Sequence, residues 1–555
     1  MGYFKSYKNT FAVDLLEFFK VVKLDENFSD FNSNSTINRN AASTFVIEQN
    51  KVDLEATVDV DSCKSNESSN GSTDDSTGNI KLEEKDDPYL VGWNGPEDPD
   101  NPQNWSTLKK TIVIFNVMLL TAVTYMGSSI YTPGEEQIRK EFHVGHVVAT
   151  LNLSLYVLGY GLGPIVFSPL TEIAKIGRQQ TYTLTFFCFT ILQIGAATVH
   201  NIGGLIVIRF FTGIFCSPAL ATGAATIADV VSPEIVPIFL AIWSIGAMVA
   251  PIIGPLLGAT MVISKGWRWI FWLLLWMSAA TLIILTFFFP ETSANNILSR
   301  RASRIRNKTG DKSYYTVQEK LDSDTTTERF LINTFYRPFK LIAKEPMILV
   351  LDVYLALCYG AFYLFFEAFP IVFVGIYHFT LIETGLAYFG FCVGCCIAFP
   401  ALMVFLHKVV RPRFENNTFT PEVFLILAMC VSWSLPTSLF LFGWAASTHW
   451  IVPIIAQIFF VLCVFNLFQC TFSYLAMAYP KYTASVFAGN SLFRASFACA
   501  FPLFGQAMYN NLAIDGYPVG WGSSLIGFFC MALAATPFVL YKYGPALRAR
   551  SAYSD

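Results

Sequence analysis

GAMVAPIIGPLLG, residues Gly246 to Gly258, is the most informative segment of this 555-residue chain. Gly246, Ala250, Gly254 and Gly258 recur at every fourth position, so on a helix they form one slowly winding stripe of minimal side chains. Such a stripe lets a second helix approach backbone to backbone within a bilayer. Pro251 and Pro255 lie beside it. Each removes one helix hydrogen bond, a loss of roughly 3 kcal/mol in a water-exposed helix interior. Lipid accepts such a break only where neighbouring helices satisfy the freed carbonyls or where the break lines a cavity. Two readings stand at this point: a kinked, closely packed membrane helix, and a bend about which two halves of a transporter close.

Composition agrees with a membrane location. Hydrophobic residues make up 54% of the chain and charged residues 14%, and the 52 Phe are too many for a water-soluble surface to hide. The apolar residues fall into about twelve blocks of roughly 20, the length that crosses a bilayer core. They centre on Leu119, Leu155, Cys188, Phe215, Val249, Leu275, Leu357, Val393, Leu427, Phe460, Phe497 and Phe528. The net charge of -3 says little about partners. Of the 12 Cys, only Cys63 lies outside these blocks, which is no extracellular disulfide framework. Cys392, Cys395 and Cys396 read as small packing residues and not as a metal site.

Two segments are polar. Asn27 to Asp87 is rich in Ser, Asn, Asp, Glu and Lys and is expected to be disordered, having too little apolar area to offset chain entropy. Before it, FAVDLLEFFKVVK (Phe11 to Lys23) is amphipathic, either a membrane-surface helix or a loose tail; no signal peptide is read here. The second polar block carries Arg300, Arg301, Arg304, Arg306, Lys308, Lys312 and Lys320 and separates six apolar blocks from six. The expected organisation is a tail at 1–108, a six-helix bundle at 109–290, a linker at 291–344, a second bundle at 345–541 and a tail at 542–555. Lys and Arg concentrate on one set of loops, including Lys175, Arg178, Lys408, Arg411, Arg413 and the central block, which places those loops and both termini in the cytosol. Six plus six spans with a basic connector is the layout of two pseudo-symmetric bundles with a site between them.

The residues now carry a resemblance. Gly246 to Gly258 resembles the antiporter motif of the major facilitator superfamily, with Ala250 where a Gly is usual. SPLTEIAKIGRQQ (Ser168 to Gln180) is similar to its cytosolic loop signature, with Ser168 for the leading Gly, two extra residues before Gly177 and Gln179 for the second Arg. Arg209 with Gly213, and Gly127 with Pro133, match further elements of the family. DPDNPQNW, WRWIFW, PET (Pro290, Glu291, Thr292) and SVFAGNSLFRASFACAFPLFG resemble the fungal twelve-span drug:proton antiporters, closest to the yeast fluconazole and benomyl resistance transporters. The likeness runs from about Trp93 to the end of the chain. It implies an all-α integral membrane protein of the major facilitator fold. It also implies export of unrelated hydrophobic compounds across the plasma membrane, driven by inward proton flow, with a proton gradient and no cofactor.

The spans offer few charges to do this. Arg209 sits within the fourth, where a cation costs about 2.5–3.5 kcal/mol on insertion scales. It either bonds backbone carbonyls and fixes the first bundle or tunes a proton carrier; it does not release a proton itself. Intramembrane charge defaults to function, so the second role is the one expected. Glu367 in the seventh span is the first candidate carrier, since a buried carboxyl can gain and lose a proton as solvent access alternates. It lies about 30 Å along the span by helix rise, so a side chain reaching toward headgroups is the alternative. Asp352 in the same span is the next candidate, and Asp229, with Glu172, Gly177 and Arg178, is expected to hold a gate. Arg494, four residues after Asn490, either locks the second bundle or joins the transport path.

Varied cargo shares only shape and hydrophobicity, so the site is expected to be a wide apolar cavity with a few polar handles. Candidates are Tyr156, Tyr160, Gln193, Tyr363, Phe366, Gln469, Asn490 and Arg494. Enzyme readings find no support: there is no GxxxxGK[ST] loop and no HExxH. The expected partners are small hydrophobic drugs and xenobiotics, protons and the lipid bilayer, with no nucleic acid, for a chain acting as a monomer. A proton-coupled importer and a transporter-like nutrient receptor are the alternative functions.

Overall fold

A computed structural model describes residues 9–18, 89–232, 235–324, 336–416, 418–551 and 553. The segment Asn27 to Asp87, expected to be disordered, lies outside them. Eleven helical stretches among the described residues are long and apolar enough to cross a membrane. Those before the linker are Thr107–Phe142, His146–Glu172, Gly177–Thr198, Ile202–Val230, Val236–Lys265 and Arg268–Phe288. After it come Pro346–Val374, Leu381–Glu415, Val423–Ala445, Ile451–Ala478 and Gly520–Arg550. Thr483–Asn511 is as long, at 29 residues, but Asn490, Arg494 and Gln506 dilute its apolar character. In chain order these are the first to twelfth spans, with Thr483–Asn511 the eleventh. The described residues hold isolated bridges and no longer strand.

The pairing of spans repeats. In the first unit the first span packs on the fifth, the second on the fourth and the third on the sixth. In the second unit the seventh packs on the eleventh, the eighth on the tenth and the ninth on the twelfth, the same pattern shifted by six. The units meet along two matching seams, second against eleventh and fifth against eighth. This is the all-α major facilitator architecture of two pseudo-symmetric six-helix units.

The end of the molecule that carries the linker is tied by charge. The helix Ala294–Thr309 starts at Ser293, whose hydroxyl accepts from the Asn296 amide, and stops at Gly310, whose φ of 74° suits a residue without a Cβ. Arg300 pairs with Asp14 at 2.7 Å, and Arg301 pairs with Asp98 at 2.8 Å and with Asp100 at 2.7 Å. Phe11–Phe18 is therefore not a loose tail. Val13 is fully buried, the carbonyl of Asn9 accepts from the Glu291 amide, and the helix rests on the third and sixth spans. The remainder of that amphipathic stretch, residues 19–23, lies outside the described residues.

The small-residue stripe of the fifth span packs on the end of the first. A Cβ at Gly254 would collide with the Ser129 hydroxyl and stand 3.0 Å from the Ile130 amide nitrogen. At Gly258 it would collide with the Ile130 carbonyl. At Gly246 it would meet only the Met118 methyl, at an ordinary 3.4 Å. The stripe is thus tight toward Gly258 and loose toward Gly246. Gly254→Ala and Gly258→Ala should each lose roughly 1–3 kcal/mol of stability by overpacking. Gly246→Ala should be neutral or gain up to about 1 kcal/mol from the lower entropy of the unfolded chain. Thermal unfolding of the three variants in one detergent checks this, and equal shifts at all three positions would refute the graded packing.

Candidate functional site

Asp352, Tyr359, Tyr363 and Glu367 follow one another on the seventh span at intervals of seven, four and four residues. At 3.6 residues per turn they fall within about 80° of arc, a polar stripe roughly 22 Å long on an otherwise apolar helix. Asp352 and Tyr363 are fully buried and Glu367 is 8% exposed. From Tyr359 to Glu367 the stripe faces the seam between the two units.

Its middle is a belt of hydroxyls. The Tyr363 hydroxyl lies 3.1 Å from that of Ser128 on the first span and 3.1 Å from that of Tyr160 on the second. The Tyr160 hydroxyl lies 2.7 Å from that of Tyr359. All three bonds join one unit to the other. Beside them a Cβ at Gly161 would collide with the Ala495 methyl, so the second and eleventh spans meet almost backbone to backbone. Tyr125 adds its ring edge-on to Tyr160 at 6.1 Å.

Toward the linker end the stripe continues through a cation. The Arg494 guanidinium sits among the rings of Tyr359, Phe468 and Phe472, 5.3 to 5.5 Å from their centroids. Its Nε donates to Asn490 Oδ1 at 2.8 Å, and Asn490 Nδ2 donates to Asp352 Oδ1 at 2.7 Å. The other Asp352 oxygen, Oδ2, is buried with no hydrogen-bond partner among the described residues. Of the alternatives read for Arg494, the geometry shows the holding one: it is tied to the seventh span through Asn490.

At the end away from the linker, Glu367 Oε2 lies 2.9 Å from His146 Nε2, and His146 Nδ1 lies 2.9 Å from Glu135 Oε1. Glu367 thus turns inward across the seam and does not reach for headgroups. Thr150 donates to the same Glu135 oxygen at 2.9 Å.

Arg209 occupies another position. It is fully buried, and it donates to the carbonyls of Asn152 at 3.2 Å, Gly127 at 2.8 Å and Ser128 at 3.5 Å. The Tyr156 ring covers it at 4.3 Å. No carboxylate lies within ion-pair reach of Arg209 among the described residues, so the geometry is that of a group holding backbone and not of one paired with an acid. Its link to the stripe runs through Ser128.

The gate-loop residues gather at the linker end. Gly177 has a φ of 75° and opens the third span, and a Cβ there would collide with Glu291 Oε2. The Glu291 carboxylate accepts from the amides of Arg178 and Gln179, both at 3.1 Å, and from those of Thr292 at 3.0 Å and Ser293 at 2.9 Å. It caps the third span as an anion on helix N–H groups. Arg178 Nε pairs with Asp229 Oδ2 at 2.5 Å. Glu172 lies exposed at the end of the second span.

Of the cavity candidates, the structure brings Tyr160, Tyr363, Asn490 and Arg494 together at the stripe. Gln469 donates to the Ser244 hydroxyl at 2.6 Å, joining the tenth span to the fifth. Phe366 is buried among Phe362, Tyr363 and Tyr388. Tyr156 lies inside the first unit, donating to the Thr124 carbonyl at 2.6 Å. Gln193 lies on the third span, which packs on the fourth and sixth, and it bonds only its own helix, at the Phe189 carbonyl. Tyr359 went unread, although the seven-four-four spacing would have found it. Ser128, Glu135 and His146 left no signal in the sequence that sets them apart.

Comparison with known proteins fits this geometry. The family model described as Major Facilitator Superfamily matches residues 117–502. The chain belongs to the major facilitator superfamily. Among its superfamily relatives, Fluconazole resistance protein 1 of Saccharomyces cerevisiae is 60% identical over the whole of both chains. Multidrug transporter FLR2 of Candida glabrata is 54% identical, covering 100% of this chain and 99% of that one. The Cycloheximide resistance protein of Candida maltosa is 41% identical over 86% of this chain and 88% of that one. The superfamily fold itself is matched by the xylose transporter XylE of E. coli in a partially occluded inward-open conformation. That match has a TM-score of 0.52 at 12% identity, covering 78% of this chain and 99% of that one.

Arg209 gives a direct test of the holding role in this superfamily member. Arg209→Met keeps the bulk but leaves the carbonyls of Gly127 and Asn152 without their donor, which should lower stability by about 1–3 kcal/mol. Arg209→Lys should fall between, since an ammonium lacks the planar fork that reaches two helices. Thermal unfolding in detergent checks both, and unchanged profiles would remove the holding role.

Proposed function

We propose that this transporter exports chemically varied hydrophobic compounds, azole antifungals and benomyl-like agents among them, in exchange for protons. One observation carries the reading: the seventh span places two buried acids at the ends of a tyrosine-lined seam between two units that must separate for access to alternate. Aromatic faces accept cargo of many shapes, and a few hydroxyls orient it without selecting one chemistry. The acids give protons a place to bind as access changes. The printed names of the full-length relatives support the same reading, since they concern fluconazole resistance and multidrug transport.

In this proposal the linker at 291–344 and the tails at 1–108 and 542–555 face the cytosol of a cell whose plasma membrane holds the bundles at 109–290 and 345–541. The protein works as a monomer, a proton gradient is the energy source, no cofactor is bound and no bond of the cargo is broken. Glu367 and Asp352 are the coupling acids, Arg209 holds the first unit, and Gly246, Ala250, Pro251, Gly254, Pro255 and Gly258 form the bend beside the seam. Glu172, Gly177, Arg178 and Asp229 close the cytosolic end.

Efflux of a fluorescent azole from sealed vesicles with an imposed pH gradient tests the proposal. The expected result is gradient-dependent export in wild type and its loss in Glu367→Gln, which still binds drug because the amide mimics the protonated acid. Asp352→Asn should lose coupling likewise. Wild-type export that ignores the gradient would defeat the proton reading, and full coupled export by Glu367→Gln would move the proton site to Asp352. A tag placed between Arg300 and Lys320 should be reachable by antibody only after permeabilisation, and labelling of intact cells would reverse the orientation.

A further inference from the structure

The bridge at the end away from the linker carries a consequence in protons. His146 presents one ring nitrogen to Glu135 and the other to Glu367, each at 2.9 Å from a carboxylate oxygen. A neutral imidazole has one N–H and one lone pair, whichever tautomer it takes. Set between two carboxylates, it donates to one and turns a lone pair on the other. The arrangement is satisfied only with one more proton, either on the ring, so that both nitrogens donate, or on one carboxyl, so that it donates to the ring. Glu135 belongs to the first unit and Glu367 to the second. Closing the seam at this end therefore binds a proton, and opening it gives that proton up.

Nothing else nearby can substitute for it. The Glu135 side chain is 14% exposed, His146 18% and Glu367 7%, so the carboxylates have little water to screen them. The surrounding polar groups are the Thr150 hydroxyl on the second span and the phenols of Tyr131, Tyr388 and Tyr509, from the first, eighth and eleventh spans. Arg139 pairs with Glu136 on the outer face. No cation other than His146 lies within ion-pair reach of Glu135 or Glu367 among the described residues. Gly505 brings the eleventh span against Glu367, where a Cβ would stand 3.3 Å from its Cγ.

We propose that Glu135, His146 and Glu367 form a proton-binding latch that joins the two units and holds the end away from the linker shut when the proton is bound. It deepens the export reading: a proton taken from the outer compartment closes the outer gate and returns the carrier toward the cytosol. Loss of the proton leaves two anions facing each other across the seam, and the seam opens.

Labels for electron paramagnetic resonance, carried on unnatural residues at Glu136 and Asp515, read the separation of the two units at this end. The full-length protein is measured in lipid nanodiscs without drug at about pH 5.5 and about pH 8.5, on either side of the ordinary histidine value near 6.5. The short distance should dominate in acid. The ratio of short to long should fall at least about tenfold in base, because each unit of pKa difference between the closed and open forms is a tenfold shift in population. Glu135→Gln removes the need for the extra proton, since its amide can donate to the ring, and should stay short at both values. His146→Arg, a permanent cation, should also stay short at both. A constant ratio in the wild type, or a wild-type pH shift surviving in Glu135→Gln, would overturn the latch. Because no cargo is present, the outcomes separate: export with a constant ratio sinks only the latch, and a switching ratio without export sinks only the export reading.

Discussion

A fully buried guanidinium holds the first unit together beside the seam. Arg209 lies where an uncompensated cation is costly, and the structure uses its donors on carbonyls of the first and second spans. The carbonyls it takes, Gly127 and Ser128, lie where the first span is about to loosen into the short 3-10 turn Thr132–Gly134. The same few residues are contacted from every side. Tyr156 approaches Gly127 so closely that a Cβ there would stand 2.7 Å from its hydroxyl oxygen. Gly254 and Gly258 admit Ser129 and Ile130, and Ser128 meets Tyr363 of the other unit. With no solvent to repair a lost contact, a shift at one of these points must be taken up by the others.

Much of the architecture was legible because membranes impose simple rules. Length, apolarity and basic loops predict spans and units, and the four-residue recurrence of Gly246 to Gly258 predicts a close helix contact. What the recurrence does not carry is its gradation, which depends on the distance of the first span at each step. Glu367 was readable as an unusual acid, but its partner was not. His146 stands 221 residues away, and an isolated histidine at a helix start looks like any other. Arg209 shows the opposite case. Its presence within a span was plain, and in the structure backbone carbonyls, not an acid, accept from its Nε and Nη2.

The PET segment shows how a motif can be noticed without its physics. Glu291 begins the linker, yet its carboxylate serves the third span, where four amides converge on it. Gly177 is small because that carboxylate occupies the space a side chain would fill. Arg178 then reaches Asp229 on the fourth span, and Asn296 donates to the Ala174 carbonyl of the intervening loop at 2.7 Å. The basic linker is likewise matched by acids far earlier in the chain, at Asp14, Asp98 and Asp100. Charges that read as an orientation signal in sequence are also the clasps of this end of the molecule.

The eleventh span has a consequence for how the protein is made. It is among the least apolar of the twelve, because Asn490, Arg494 and Gln506 lie within it. Its polar groups find partners only in company: Asn490 on Asp352 of the seventh span, and Arg494 among rings of the seventh and tenth. Those partners are synthesised earlier. The seventh and tenth spans are thus made before the eleventh needs them as partners. Removing the Asp352 acceptor altogether would leave Asn490 Nδ2 unpaired within the bilayer, where an unsatisfied polar group is costly.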